Sequence, residues 1–218
     1  MTSRVLLYWL PLGAGRTTGC VRSNGRVYER IVAAREGREA CDLYHAALAV
    51  WRDGVRTTVE MTPVWGGPRV DRGVVAEGPV GARFLGRSRW FRYEVRCWRG
   101  GEIPDLAYAV ESPRCLSTDD RVAATVLDLV PTVPRLVWGS DPYGLGDMWN
   151  SNSLVSWLLV GAGLDPDVDP ARPPVGGRAP GWATGLALAV SMPPPGEGQP
   201  GADVPPVPEL PAVRGRPR

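Results

Sequence analysis

The spacing of apolar and polar positions changes along this chain, and each change marks an element. Val5-Leu6-Leu7-Tyr8-Trp9-Leu10 is an unbroken apolar run closed by Pro11 and Gly13, the pattern of a buried strand running into a turn. Over residues 26–38 the period lengthens to that of a helix. Val27, Tyr28, Ile31 and Val32 fall on one side and Arg30, Arg35, Glu36 and Arg38 on the other, so burial through the first set is expected, with a turn at Asn24-Gly25 before it.

The clearest hairpin follows. Leu43–Trp51 and Thr57–Thr62 flank Asp53-Gly54, a preferred pair for a two-residue turn. With that pair at the centre, Arg52 faces Val55, and counting outward puts Ala47 opposite Glu60 and His45 opposite Thr62. Alternation then gives His45, Ala47 and Ala49 the same face as Thr62, Glu60 and Thr58, with Glu60 the diagonal neighbour of His45. Pro63–Pro79 reads as loop with one short strand near 73–75. A strong strand is expected over Trp90–Trp98, where Phe91, Tyr93, Val95 and Cys97 alternate with Arg92, Glu94 and Arg96, giving one core face and one wet face. Pro104 suits the start of a short helix through Val110, and Ser117-Thr118-Asp119-Asp120 caps another through Val130, stopped by Pro131 and Pro134.

Gly146-Asp147-Met148-Trp149-Asn150-Ser151-Asn152-Ser153-Leu154-Val155-Ser156-Trp157 reads as a loop entering a helix. Its Asn and Ser cluster suits the free N–H groups of a first turn, and Leu154, Val155, Leu158 and Leu159 recur at helical spacing. Gly161, Gly163 and Pro166 end it. Residues 165–181 are dominated by Pro, Gly, Asp and Arg, and Trp182–Val190 fits either a helix or an edge strand. From Ser191 onward almost every residue is Pro, Gly, small or charged, which predicts a disordered tail over 191–218 that a protein partner could bind as a Pro-rich ligand. Residues 1–190 are expected to form a single α+β domain.

Composition narrows the chemistry. All 25 basic residues are Arg, which excludes a Schiff-base or P-loop Lys. The net charge of +2 carries no overall polyanion-binding signature. Cys20, Cys41, Cys97 and Cys115 form no C-x-x-C pair and the chain has one His, so no metal site is expected. Widely spaced thiols of this kind suit a reducing cytoplasm. Gly13, Gly15 and Gly19 do not make a dinucleotide fingerprint, because Thr18 stands where the third Gly belongs, and no cofactor is expected. No apolar run reaches the roughly 18–20 residues that a membrane span needs. Pro11, Gly13 and Gly15 also interrupt the first apolar run too early for an export signal.

One His on a strand, an acid on the same face, and a hydroxyl at a distant helix start supply a candidate base, orienting group and nucleophile: His45, Glu60 and Ser151. Helix N–H groups beside Ser151 suit an oxyanion, with Asn150, Asn152 and Asp147 as candidate substrate-binding or oxyanion groups. Tyr44-His45-Ala46-Ala47-Leu48, Val59-Glu60-Met61 and Asn150-Ser151-Asn152-Ser153-Leu154-Val155, in that order, resemble the His strand, second strand and nucleophile helix of the circularly permuted, NlpC-like branch of the papain-like cysteine hydrolases and acyltransferases. The resemblance implies a permuted papain-like antiparallel sheet packed on helices. It further implies amidase, peptidase or acyl-transfer chemistry on a peptide, peptidoglycan fragment or lipid acyl group, with His45 as base, Glu60 as orienting residue and Ser151 in the position of the family's Cys. With Ser in that position, the alternative is a papain-like binding or scaffold module that has lost chemistry.

A different reading comes from residues 83–99, where six arginines and one acid interleave with Phe84, Trp90, Phe91, Tyr93 and Trp98. Arginine beside exposed aromatics suits single-stranded nucleic acid. The alternation argues against it, since it sends Phe91 and Tyr93 to the face opposite Arg92 and Arg96.

Overall fold

The computed structural model describes residues 3–14, 19–64, 73–103, 106–167 and 170–191. The expected disorder of the tail beyond Ser191 therefore lies outside the described residues, as does the Thr18 position. Among the described residues the fold is α+β, with four helices and a seven-stranded sheet that is antiparallel except for one short pairing.

β1 (Arg4–Pro11) and β2 (Asp42–Arg52) lie at the centre of the sheet, between β3 (Val55–Pro63) and β6 (Val110–Ser117). Beyond β3 come β5 (Arg92–Arg99) and β4 (Val74–Pro79), so the order is β4-β5-β3-β2-β1-β6. β7 (Gly177–Arg178) pairs in parallel with the first residues of β2. On one face, Val5, Leu7 and Trp9 of β1, Tyr44, Ala46, Leu48 and Val50 of β2, and Val59 and Met61 of β3 meet α2 (Asp120–Leu129) and α3 (Ser151–Gly161). On the other, Leu10 and Ala47 pack with Ile103, Leu106 and Ala109. α1 (Gly19–Glu36) also reaches this second face, where Gly25 lies against Leu12 and Leu43.

α3 is the buried axle of the domain. Every residue from Ser151 to Leu159 is buried, rather than one face only, because α4 (Trp182–Ser191) packs against the side the sheet leaves free. Leu154, Leu158 and Leu159 are completely buried, each contributing about 1.5–3 kcal/mol by leaving water. α4 approaches closely because Gly185 has no side chain: a Cβ there would collide with the Ser153 carbonyl and the Ser156 hydroxyl.

Several local expectations change in three dimensions. α1 begins at Gly19 and runs through Asn24-Gly25, because close packing on Leu12 requires a glycine inside the helix rather than a turn. Its exposed side carries Val27 and Ile31, while Glu29 and Ala33 are buried. Glu29 tolerates that position because Arg38 bonds it at 2.5 and 3.3 Å and the Cys41 N–H at 3.1 Å. β4 is longer than the short strand expected, and β6 replaces the end of the helix expected after Pro104, of which the described residues form a 3-10 turn at Leu106–Tyr108. Pro113 is tolerated there because β6 is an edge strand. β5 begins at Arg92, not Trp90, and its expected wet face is buried: Arg96 bonds Glu60 at 3.0 Å and Glu94 at 2.8 Å, so the charges compensate one another.

Candidate functional site

The hairpin register is as the turn dictates, from Arg52↔Val55 to Leu48↔Val59. There β2 and β3 separate. β3 continues in register with β5 through Glu60↔Arg96 and Pro63↔Tyr93, and β2 continues along β1 through His45↔Leu10 and Tyr44↔Pro11. The pairings expected between His45 and Thr62 and between Ala47 and Glu60 are therefore not made. Glu60 keeps the face that alternation assigns it, but its carboxylate is held by Arg96, directly opposite in the sheet.

The edge of β2 that β3 leaves is taken by the first turn of α3. Asn152 accepts the Ala46 N–H through its side-chain oxygen at 2.7 Å and donates to the Tyr44 carbonyl at 2.9 Å. Those two groups flank His45 in the chain, so a single carboxamide replaces a strand partner and fixes the helix start at the level of His45. The same amide donates to the Pro180 carbonyl at 2.8 Å, tying in the approach to α4.

Asn150 is the N-cap of α3. Its side-chain oxygen accepts the N–H groups of Asn152 and Ser153 at 2.8 and 3.3 Å, and the Ser153 hydroxyl accepts the Asn150 N–H at 3.1 Å, a reciprocal capping box. Ser153 also donates toward the Met148 and Gly181 carbonyls, and Ser156 to that of Trp182 at 2.9 Å. Asp147 serves the other helix: its two oxygens accept the N–H groups of Gly181 and Ala183, so it caps α4 rather than α3. Among the described residues, Ser151 is the one polar side chain between Asn150 and Ser156 that makes no hydrogen bond. It stands at the first helical position and is 5% exposed.

His45 is half-buried and alternates onto the face of Leu10 and Ala47, opposite the Tyr44–Ala46–Leu48 face on which α3 packs. Burial lowers its pKa to about 4, so the imidazole is neutral at pH 7. Burial pushes the pKa of the Cys41 and Cys97 thiols up, with Glu29 adding to the effect at Cys41, which disfavours the nucleophilic thiolate at both. Tyr28 belongs to this corner although its spacing showed only an amphipathic helix. Its pKa is raised by burial first and then by the Asp147 carboxylate, which places α1 beside the loop that leads into α3.

The other residues that sequence reasoning misplaced are Trp90 and Phe91. They lie in a 3-10 turn before β5, 64% and 43% exposed, with Phe84 at 70% on the same loop. Of the interleaved arginines, Arg92 pairs with Glu77 and Arg96 with Glu60 and Glu94, while Arg83, Arg87 and Arg99 are exposed. Among the described residues no helix is long and apolar enough to cross a membrane. Comparison with family models, characterised proteins and solved structures finds no match for the chain.

Proposed function

We propose that the domain is a hydrolase or acyl-transfer module of permuted papain-like arrangement, acting on an amide or ester through Ser151. The observation that carries this reading is the Asn152 clamp, which holds the start of α3 against the backbone on both sides of the chain's only His. In the reaction, the Ser151 oxygen attacks the acyl carbon, and its proton passes to neutral His45 once that side chain turns round the edge of β2 that β3 leaves, from the opposite face of the sheet. The N–H groups of the first turn of α3 receive the oxyanion. Collapse of that intermediate returns the proton to the leaving group. Glu60 takes no part, because its carboxylate is engaged by Arg96.

A second reading, a papain-like binding or scaffold module without chemistry, is favoured by a separate observation. Asn150, Asn152, Ser153 and Asp147 all spend their polar atoms on joining α3, α4 and β2. A fluorophosphonate probe separates the two readings without knowledge of the substrate. An activated serine displaces its fluoride and keeps the phosphonyl group, which mass spectrometry locates. The catalytic reading expects labelling at Ser151 that is lost in His45→Ala. A folded chain that stays unlabelled at Ser151 overturns it and leaves the scaffold reading.

A further inference from the structure

We propose that the loop Gly81–Phe91 is a docking site for an acidic, proline-rich strand, and that its occupant is this chain's own segment Pro193–Pro211.

The loop is a built platform. Its base is closed by the Val80 N–H bonded to the Phe91 carbonyl at 2.8 Å, and Arg92 donates to the Gly86 carbonyl at 2.6 Å across its middle. On this frame Phe84, Trp90 and Phe91 are 70%, 64% and 43% exposed. Three exposed aromatics within one short loop suit a contact surface. Arg83 and Arg87 are exposed beside them, and residues 81–91 include no acid. Aromatic side chains are the usual receivers of a polyproline II strand, whose stiffness lowers the entropy lost on docking.

The tail supplies the complement. Pro193–Pro211 contains eight prolines and three acids, Glu197, Asp203 and Glu209, with no basic residue. It also leaves the fold near the loop. Ser191, the last residue of α4, donates its hydroxyl to the Ala187 carbonyl at 2.8 Å and lies close enough to the Tyr143 hydroxyl to perturb it. Five residues before Tyr143, Trp138 forms a bridge with Val80, and its carbonyl accepts the Gly81 N–H at 3.0 Å. Even fully extended, those five residues span at most about 18 Å, whereas the tail segment as polyproline II covers about 60 Å. Single-stranded nucleic acid fits less well, since Arg92 and Arg96 are already paired with carboxylates and the chain carries only +2.

The test is heteronuclear NMR on the nitrogen-15-labelled full chain, read at the tail amides of Glu197, Ala202, Asp203, Val204 and Val207. The reference is a synthetic peptide of residues 193–211. In the native chain these signals should stand away from their positions in the free peptide. They should move to those positions in Trp90→Ala and in the double variant Arg83→Glu/Arg87→Glu, with the rest of the spectrum unchanged. The second variant serves if the first fails to fold. Excess unlabelled peptide should displace the tail to the same positions. Tail signals identical in native chain and variants overturn the proposal. Displacements that grow with protein concentration assign the loop to a second copy and overturn docking within one chain. Salt-sensitive binding of oligothymidylate to the loop, with tail signals at the free-peptide positions throughout, overturns it in favour of nucleic acid.

Discussion

The side-chain oxygen of Asn152 accepts the backbone N–H of Ala46, 106 residues earlier in the chain, at 2.7 Å. This bond and its companion to Tyr44 do the work of a missing strand. Asn152→Ala leaves a buried N–H and a buried carbonyl without partners and should lower stability by about 2–3 kcal/mol. Asn152→Asp should do at least as much harm, because a carboxylate has no N–H for the Tyr44 and Pro180 carbonyls. Urea unfolding checks both, and an unshifted midpoint for Asn152→Asp removes the donor role.

Arg96 sits between two carboxylates on a face that alternation alone describes as wet. Arg96→Met removes the charge that bonds both and should destabilise the fold by about 3–5 kcal/mol. Adding Glu60→Gln and Glu94→Gln should recover a substantial part, since the three groups form one network and their effects do not add. Unfolding midpoints of the single and triple variants decide it; a triple variant no better than Arg96→Met counts against charge burial as the cause.

The parts of the fold that were legible are those decided by neighbours in sequence. Asp53-Gly54 set the hairpin register, the Asn and Ser cluster marked the start of α3, although its cap is Asn150 and not Ser151, and Asp119 capped α2 as its spacing required. The parts that were not legible depend on contacts across the chain. The turn dictates pairing only as far as Leu48↔Val59, and where the strands separate is set by Asn152 and Arg96 arriving from other elements. Glu29 looked like a solvent-side residue of α1 because nothing local reveals that Arg38 and Cys41 will surround its carboxylate. Trp90 and Phe91 fitted the alternation of β5, yet the strand starts at Arg92, where pairing with β4 begins. At the candidate site, the sequence placed the helix start and the His strand, but not the use of Asp147 at α4 or the diversion of Glu60.

Stability should fall with acid in two overlapping steps. Burial lowers the pKa of His45 to about 4, below the usual value near 6.5, so the unfolded chain takes up a proton first. The stability tied to its neutral form is complete above about pH 6.5 and is lost as the pH falls towards 4. Burial opposes ionisation of Glu29, but the bonds from Arg38 and Cys41 outweigh it and bring its pKa to about 2, from 4.5. That contribution is complete above about pH 4.5 and is lost as the pH falls towards 2. Each pKa moves by about 2.5, so each step amounts to at most about 3–4 kcal/mol. His45→Gln should flatten the upper step and Glu29→Gln the lower, measured as urea midpoints from pH 7 to 2.5. An upper step unchanged in His45→Gln assigns it to another group.

A base with a pKa near 4 also predicts the form of any catalytic profile. If His45 accepts the Ser151 proton, fluorophosphonate labelling should be constant at neutral pH and fall only as the pH approaches 4, not 6.5. The labelling rate against pH measures this directly. An acid limb near 6.5 would point to a base other than His45 as it stands in this fold.

Asp147 gives the means to separate structure from chemistry at the same corner. Its carboxylate accepts two N–H groups at the start of α4 and lies where the helix dipole favours negative charge. Asp147→Ala should lower stability by about 1 kcal/mol, and Asp147→Asn by less, because the amide oxygen can still accept one of the two. A capping residue leaves chemistry at Ser151 unchanged, so both variants should label with fluorophosphonate at the native rate well below their unfolding temperatures. A labelling rate that drops tenfold in Asp147→Asn, with thermal stability nearly intact, would move Asp147 from the cap of α4 into the substrate site.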